Sequence, residues 1–176
     1  MNDELQMFRK QVRRFVQEEF VPQEPRWREQ HRCDASAWTK AGETGILCTD
    51  IPEEYGGGGG AFAHEAVVME ELAYAGVNFG SGVNSIVAHY VLAYGSEQQK
   101  KQWLPRMARG ELVGAIGMTE PVAGSDLQSI KTTARRDGDC YVINGSKTFI
   151  TNGWHAGIIS LAVKTDAQLS GAKGIS

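Results

Sequence analysis

Apolar residues recur at helical spacing through the first hundred positions. Leu5, Phe8, Val12, Phe15 and Phe20 fall close to a 3.6-residue period, with Arg9, Lys10, Arg13, Arg14, Glu18 and Glu19 between them. The spacing predicts a surface helix with one buried stripe, ending near Pro22. Pro25 and Trp27 fit a short second helix, and Asp34 or Ser36 is placed to cap a third that runs through Trp38 towards Gly42–Gly45. Phe62, Ala66, Met69 and Ala73 mark a fourth helix, whose exposed side is expected to carry Glu65, Glu70 and Glu71. A fifth spans Val83 to Tyr94 and stops at Gly95. Ser96 with Gln99 forms a capping box for a sixth, which runs through Trp103 to Met107 ahead of Gly110.

The pattern changes near Leu112. Short β-rich runs follow: Val113 to Met118, Lys131 to Arg135, Cys140 to Ile143, Lys147 to Thr151 and Ile158 to Lys164. Asn144-Gly145, between the third and fourth runs, is a strong hairpin signal because both residues tolerate positive φ. Asp137-Gly138 supplies another turn. Helices first and strands afterwards argue for an α+β fold: an all-helical domain over residues 1–112, then an antiparallel β-domain over 113–176. Apolar character resumes at Gly174-Ile175-Ser176, so the β-domain is expected to be truncated there.

Composition narrows the functional classes. The chain has 176 residues, 41% hydrophobic and 22% charged, which suits one soluble globular unit on a prior of roughly 150 residues per domain. With 18 Lys+Arg against 21 Asp+Glu, the net charge of −3 offers no basic field for nucleic acid or an anionic membrane. Cys33, Cys48 and Cys140 have no C-x-x-C spacing, which argues against a disulfide framework and a zinc site, and no metal is expected. Met1-Asn2-Asp3-Glu4 does not open a secretory signal, and the apolar run Gly157 to Val163 is far short of the ~20 residues of a membrane span. The expected location is cytoplasmic, or the mitochondrial matrix in a eukaryote.

Gly56 to Gly60 is the first candidate for chemistry, as a phosphate cradle. It lacks the G-K-[ST] of a P-loop and the strand-before, helix-after context of a dinucleotide fingerprint, so a helix connector is the better reading. His64 and His89 fall on expected helices with no Ser or Cys partner placed by sequence. The informative segment runs from Gly114 to Gly153. A strand ends in Thr119, Pro121 stops ladder pairing, and Gly124-Ser125-Asp126 makes a turn of small side chains and exposed N–H groups. Such a turn can hold a phosphate closely, or can simply be a tight turn capped by Asp126.

The combination Met118-Thr119-Glu120-Pro121, Gly124-Ser125-Asp126 and Asn144-Gly145, continued by Lys147-Thr148-Phe149-Ile150-Thr151-Asn152-Gly153, closely resembles the signature region of the acyl-CoA dehydrogenases. Ile51 to Gly57, Glu70-Glu71-Leu72-Ala73 and Gly95 to Lys100 resemble that family's helical domain. The resemblance implies FAD as cofactor, an acyl-CoA thioester as substrate, electron-transfer flavoprotein as electron acceptor, and a homodimer or homotetramer. It implies that Ile116 to Ser125 is a flavin-binding stretch, with the main chain near Met118 and Thr119 bonding the pyrimidine edge of the isoalloxazine. Gly124 and Ser125 match the turn at the cofactor diphosphate, and Ser125 also faces the acyl-CoA. Phe149 matches the aromatic packed on the flavin, beside Ile150, and Thr151 the residue whose hydroxyl meets flavin N5. Phe in place of Trp at 149 resembles the long-chain subgroup.

The implied reaction is α,β-desaturation, with a carboxylate base taking the α-proton while the β-hydride goes to N5. That base is a glutamate of the family's C-terminal domain, with no matching position in these residues. The resemblance places Glu120 in the flavin-binding turn and implies that it is not the base. The contrasting reading for these 176 residues is a non-catalytic module that holds FAD, acyl-CoA or a partner chain. Ala75, Gly76, Gly80 and Gly82 are small enough to leave room for a long acyl chain.

Overall fold

The computed structural model describes residues 2–166, 168, 169 and 171–176. Helix α1 (Asp3–Phe15) is capped by Asn2, whose side-chain oxygen accepts from the Leu5 N–H at 2.9 Å. Acidic Asp3 and Glu4 occupy its first turn and basic Arg13 and Arg14 its last, complementing the helix dipole. Beyond Phe15 the chain stays helical, through a π-turn (Val16–Phe20) and a 3₁₀ turn (Val21–Gln23), into α2 (Glu24–Gln30). Pro22 and Pro25 sit in first turns, where a missing N–H breaks nothing, so they redirect the helix where the sequence predicts an end. His31, in the left-handed region, stops α2.

Helices α3 (Ala35–Glu43), α4 (Phe62–Tyr74), α5 (Ser81–Tyr94) and α6 (Glu97–Ala108) follow, and the Ser96/Gln99 capping box forms as expected. One apolar core joins α1 to α4 and the start of the β region; Phe20 meets Trp27 and Phe79 at ring-centroid distances of 5.3 and 4.8 Å. A second core fills the space around α5 and α6, including Ile51, Val87, Leu104 and Met107.

The acidic face of α4 departs from expectation. Glu70 is exposed, but Glu65 and Glu71 are buried. Helix α1 packs across Glu71, which accepts from Arg9 at 2.9 Å and from Arg13 at 2.7 and 3.0 Å. A buried carboxylate is tolerable when such charged donors replace water.

The glycine run is an ordered connector. The N–H groups of Gly57, Gly58, Gly59 and Gly60 bond the carbonyls of Pro52, Cys48, Ile51 and Thr49 at 2.9–3.2 Å, and Gly56 bonds Glu53 at 2.8 Å. All five donors are spent internally, which removes the phosphate-cradle option.

In the β region, β1 (Val113–Gly117) pairs in parallel with β4 (Ala156–Leu161), and β2 (Thr133–Asp137) pairs antiparallel with β3 (Cys140–Asn144). The helices-then-strands α+β architecture is as expected, with the parallel pair as an addition. Two local expectations fail. The hairpin turns at Gly138-Asp139, with Gly138 at φ 61°, and not at Asn144-Gly145. Gly145 instead passes tightly against Thr132, whose hydroxyl oxygen would lie 2.4 Å from a Cβ there. Residues Lys147 to Thr151 form no strand, because Phe149 (φ 54°) and Asn152 (φ 66°) bend them out of any ladder. Among the described residues, no helix is long and apolar enough to cross a membrane.

Candidate functional site

The end of β1 and the loop 145–155 build the site together. After Gly117 the chain turns tightly at Glu120–Ala123, where each of these two N–H groups donates to the other residue's carbonyl at 2.9 and 3.1 Å. Pro121 and Val122 are exposed at its tip. The Glu120 side chain turns inward and is 4% exposed. It accepts from the N–H groups of Lys131 and Thr132 at 2.5 and 2.9 Å, and from Lys147 Nζ at 2.9 Å. Burial alone would raise this carboxyl, but those hydrogen bonds overcome it and hold Glu120 at about 2. A carboxylate so enclosed is an organising anion, not a proton acceptor for a substrate.

Lys147 also donates to the Met118 carbonyl at 2.9 Å, and the Thr148 N–H donates to the Thr119 carbonyl at 2.9 Å. The two halves of the signature are therefore one structure, although 29 residues separate Lys147 from Met118. Among the described residues, the N–H groups of Met118 and Thr119 have no acceptor and remain as main-chain donors.

Beyond that junction Phe149 projects, 91% exposed, with Ile150 half-buried and Thr151 exposed. Asn152 then ties the loop to the helical part, donating to the carbonyls of Gly80 and Gly114 at 2.9 and 3.0 Å. The His155 ring lies 2.9 Å from the Cys33 carbonyl, and Arg32 stacks over Trp154 at 4.4 Å.

Of the residues read from the sequence, Ile116 is half-buried on β1 against the second core, and Met118 and Thr119 stand at the strand's open end. Gly124 and Ser125 are exposed on the turn that follows, and a Cβ at Gly124 would meet nothing within 4 Å. Among the described residues the N–H groups of Gly124, Ser125 and Asp126 have no acceptor. Asp126 leads into the next short turn: its main-chain carbonyl accepts from the Ser129 N–H at 3.1 Å and its carboxylate from the Ser129 hydroxyl, with no side-chain bond, among the described residues, to a backbone N–H of that turn.

A second feature lies between α4 and α5: a cavity of about 640 Å³, walled by Met69, Phe79, Val83 and Ile86. Asp50, Glu65, Ser85 and His89 give it one polar side. Glu65 lies one turn before Val68 and two before Leu72, both buried, so its place on the inward stripe was readable in the sequence. The small residues divide in role. Gly82 faces Met69 at the cavity, whereas a Cβ on Gly80 would stand 1.9 Å from Asn152 Oδ1. Ala75 packs on the first core and Gly76 lies in the open. The Cys33 and Cys48 thiols are not activated nucleophiles: burial pushes Cys33 up to about 11 and Cys48 up to about 12. Among the described residues, no group of three or more His, Cys, Asp or Glu is placed to hold a metal ion.

The family models for the acyl-CoA dehydrogenase N-terminal and middle domains match residues 2–111 and 115–176. The chain belongs to the acyl-CoA dehydrogenase family. It is 42% identical to the long-chain specific acyl-CoA dehydrogenase, mitochondrial, of Sus scrofa over 99% of this chain and 41% of that protein. The crystal structure of an acyl-CoA dehydrogenase from Geobacillus kaustophilus shares 46% identity at a TM-score of 0.96, covering 100% of this chain and 47% of that one. A glutaryl-CoA dehydrogenase from Mycobacterium smegmatis, in complex with FADH2, matches at a TM-score of 0.88 and 31% identity over 94% of this chain and 44% of that one. The chain thus spans less than half the length of these acyl-CoA dehydrogenase relatives.

Proposed function

We propose that this chain supplies the flavin-binding and acyl-binding surfaces of an FAD-dependent acyl-CoA dehydrogenase that desaturates acyl-CoA thioesters between the α and β carbons. The observation that carries the reading is the Thr148–Thr119 hydrogen bond at 2.9 Å, which makes one surface of two motifs distant in sequence.

The residues present fit the cofactor. The open N–H groups of Gly124, Ser125 and Asp126, with free space over Gly124, form a cradle that a Cβ would partly fill and a diphosphate suits. The Met118 and Thr119 N–H groups, left free while Lys147 and Thr148 engage the carbonyls of the same two residues, would donate to the polar edge of a flavin ring. FAD, when bound, takes up the hydride leaving the acyl β-carbon. Phe149 offers a flat apolar surface that packs on the ring and excludes water. The exposed Thr151 hydroxyl donates where negative charge gathers as the hydride arrives. Ser125 binds the cofactor diphosphate on one side and orients the acyl-CoA on the other.

The cavity between α4 and α5 receives the acyl chain; its volume lies within the range of small-molecule sites. We assign removal of the α-proton to no residue of this chain, since Glu120 is enclosed by its three donors. Electron-transfer flavoprotein is the proposed acceptor, and the assembled enzyme a homodimer or homotetramer. The test is anaerobic titration of the flavin-loaded protein with butyryl-CoA and palmitoyl-CoA. A shift of the bound-flavin absorbance as the thioester binds, with tighter binding of palmitoyl-CoA, supports the reading. A protein that retains no flavin, or whose flavin neither thioester perturbs, overturns it.

A further inference from the structure

The polar side of the cavity between α4 and α5 is not what a hydrocarbon chain calls for. Glu65 lines it and is only 5% exposed. Its Oε2 accepts from the Thr49 hydroxyl at 3.1 Å, with the Ser85 hydroxyl as a weaker neighbour. Among the described residues no group hydrogen-bonds Oε1. The adjoining polar groups are otherwise engaged. His89 has Nδ1 2.8 Å from the Ser85 carbonyl and Nε2 3.3 Å from Asp50, so neither ring nitrogen is left for a ligand. Asp50 Oδ1 is sealed in protein without a partner among the described residues. Glu65 is therefore the carboxyl group with a free oxygen to offer the cavity; the half-exposed Tyr90 also lines it.

Burial pushes the Glu65 carboxyl up to about 7; Thr49, His89 and Ser85 oppose the rise and Asp50 adds to it. Near neutral pH it is both donor and acceptor, the hydrogen-bonding repertoire of an alcohol. A plain alkyl chain filling this space would cover the carboxyl and leave Oε1 without water or partner, at a cost that grows as the cavity closes.

We propose that the cavity selects acyl groups bearing a hydroxyl on the chain, and that Glu65 is the side chain that reads it. The proposal rests on the acyl-CoA dehydrogenase reading and names the substrate class within it. Sites built to bond a hydroxyl discriminate strongly against analogues lacking it, because the site's own polar group is then stranded.

The test uses unreactive CoA thioethers, so that binding is read without turnover. The flavin-loaded protein is titrated calorimetrically with S-dodecyl-CoA and with analogues carrying one hydroxyl at successive positions from mid-chain to the end. The expected result is about tenfold tighter binding for at least one hydroxylated analogue. In Glu65→Leu that ratio falls to about one, with plain S-dodecyl-CoA bound at least as well as before, while Glu65→Gln keeps a preference. If every analogue binds wild-type protein no better than S-dodecyl-CoA, or if Glu65→Leu keeps the preference, the proposal is overturned. Should Glu65→Leu not fold, the wild-type comparison and Glu65→Gln still decide. Binding of S-dodecyl-CoA without hydroxyl preference sinks this proposal alone; failure of every thioether to bind removes the acyl reading with it.

Discussion

The side-chain amide of Asn152 donates to the carbonyl of Gly80 at 2.9 Å across 72 residues of sequence. The same amide nitrogen reaches Gly114 at 3.0 Å, so one side chain fastens the site loop to both the α4–α5 connection and β1. Gly80 has no room for a side chain beneath it: a Cβ would lie 1.9 Å from Asn152 Oδ1.

Gly80→Ala is accordingly expected to expel the amide and cost about 1–3 kcal/mol, or roughly 2–4 °C of Tm for each kcal/mol. Asn152→Gly preserves the positive φ and removes the same two bonds. Thermal unfolding should place both variants below wild type by similar amounts, and both should release flavin more readily. A Gly80→Ala protein with unchanged Tm and flavin retention would show that the latch is incidental.

Lys147 and Glu120 make the next prediction, because each is nearly sealed, at 9% and 3% side-chain exposure. Lys147→Met leaves a buried carboxylate with only its backbone donors, and a loss of about 3–5 kcal/mol is expected in denaturant titration. The pair also sets acid behaviour. Glu120 sits at about 2 in the folded chain against an ordinary 4.5, so the unfolded form binds the extra proton between those values. The stability this contributes is complete above about 4.5 and drains away as pH falls towards 2. Glu120→Gln should flatten the stability profile across that window and leave its upper limb parallel to wild type.

Local chemistry in the sequence marked the helices well, since caps and periodic stripes act over one or two turns. The Ser96–Gln99 box and the Leu5–Phe8–Val12–Phe15 stripe of α1 needed nothing from elsewhere in the chain. Tertiary partners decided what sequence reading missed. Glu71 looks like a solvent-facing residue until Arg9 and Arg13 of α1 are laid across it. Asn144-Gly145 has hairpin chemistry, but Gly138 closes the hairpin earlier while Gly145 lies tight against Thr132. The site segments were legible as motifs; the Glu120–Lys147 bond that joins them spans 27 residues and has no local signature. Glu65 could have been placed by its spacing to Val68 and Leu72, which its charge obscured.

The glycine connector tests how far such local reasoning holds. At Gly57 a Cβ would stand 2.2 Å from the Ile51 carbonyl, whereas at Gly124 it would meet nothing within 4 Å. Gly57→Ala is expected to lose at least about 1–3 kcal/mol through a forced backbone shift. Gly124→Ala should unfold like wild type yet hold flavin less well, since its Cβ fills only the cradle. Equal stability of the two variants would contradict the packing of the connector.

Phe149 separates stability from function most sharply. It is 91% exposed and held at φ 54°, so its side chain contributes little burial while its backbone carries left-handed strain of about 1–2 kcal/mol. A fold free of other demands gains by replacing it, and Phe149→Gly is expected to raise the unfolding free energy by about 0.5–1 kcal/mol. On the proposed reading the same change removes the apolar surface that packs on the flavin ring, so flavin should dissociate faster and the residual bound flavin should be more open to solvent quenchers. Opposite signs for stability and flavin retention identify a residue kept for its ligand. A stability loss in Phe149→Gly, with flavin held as tightly as before, would assign Phe149 to the fold instead.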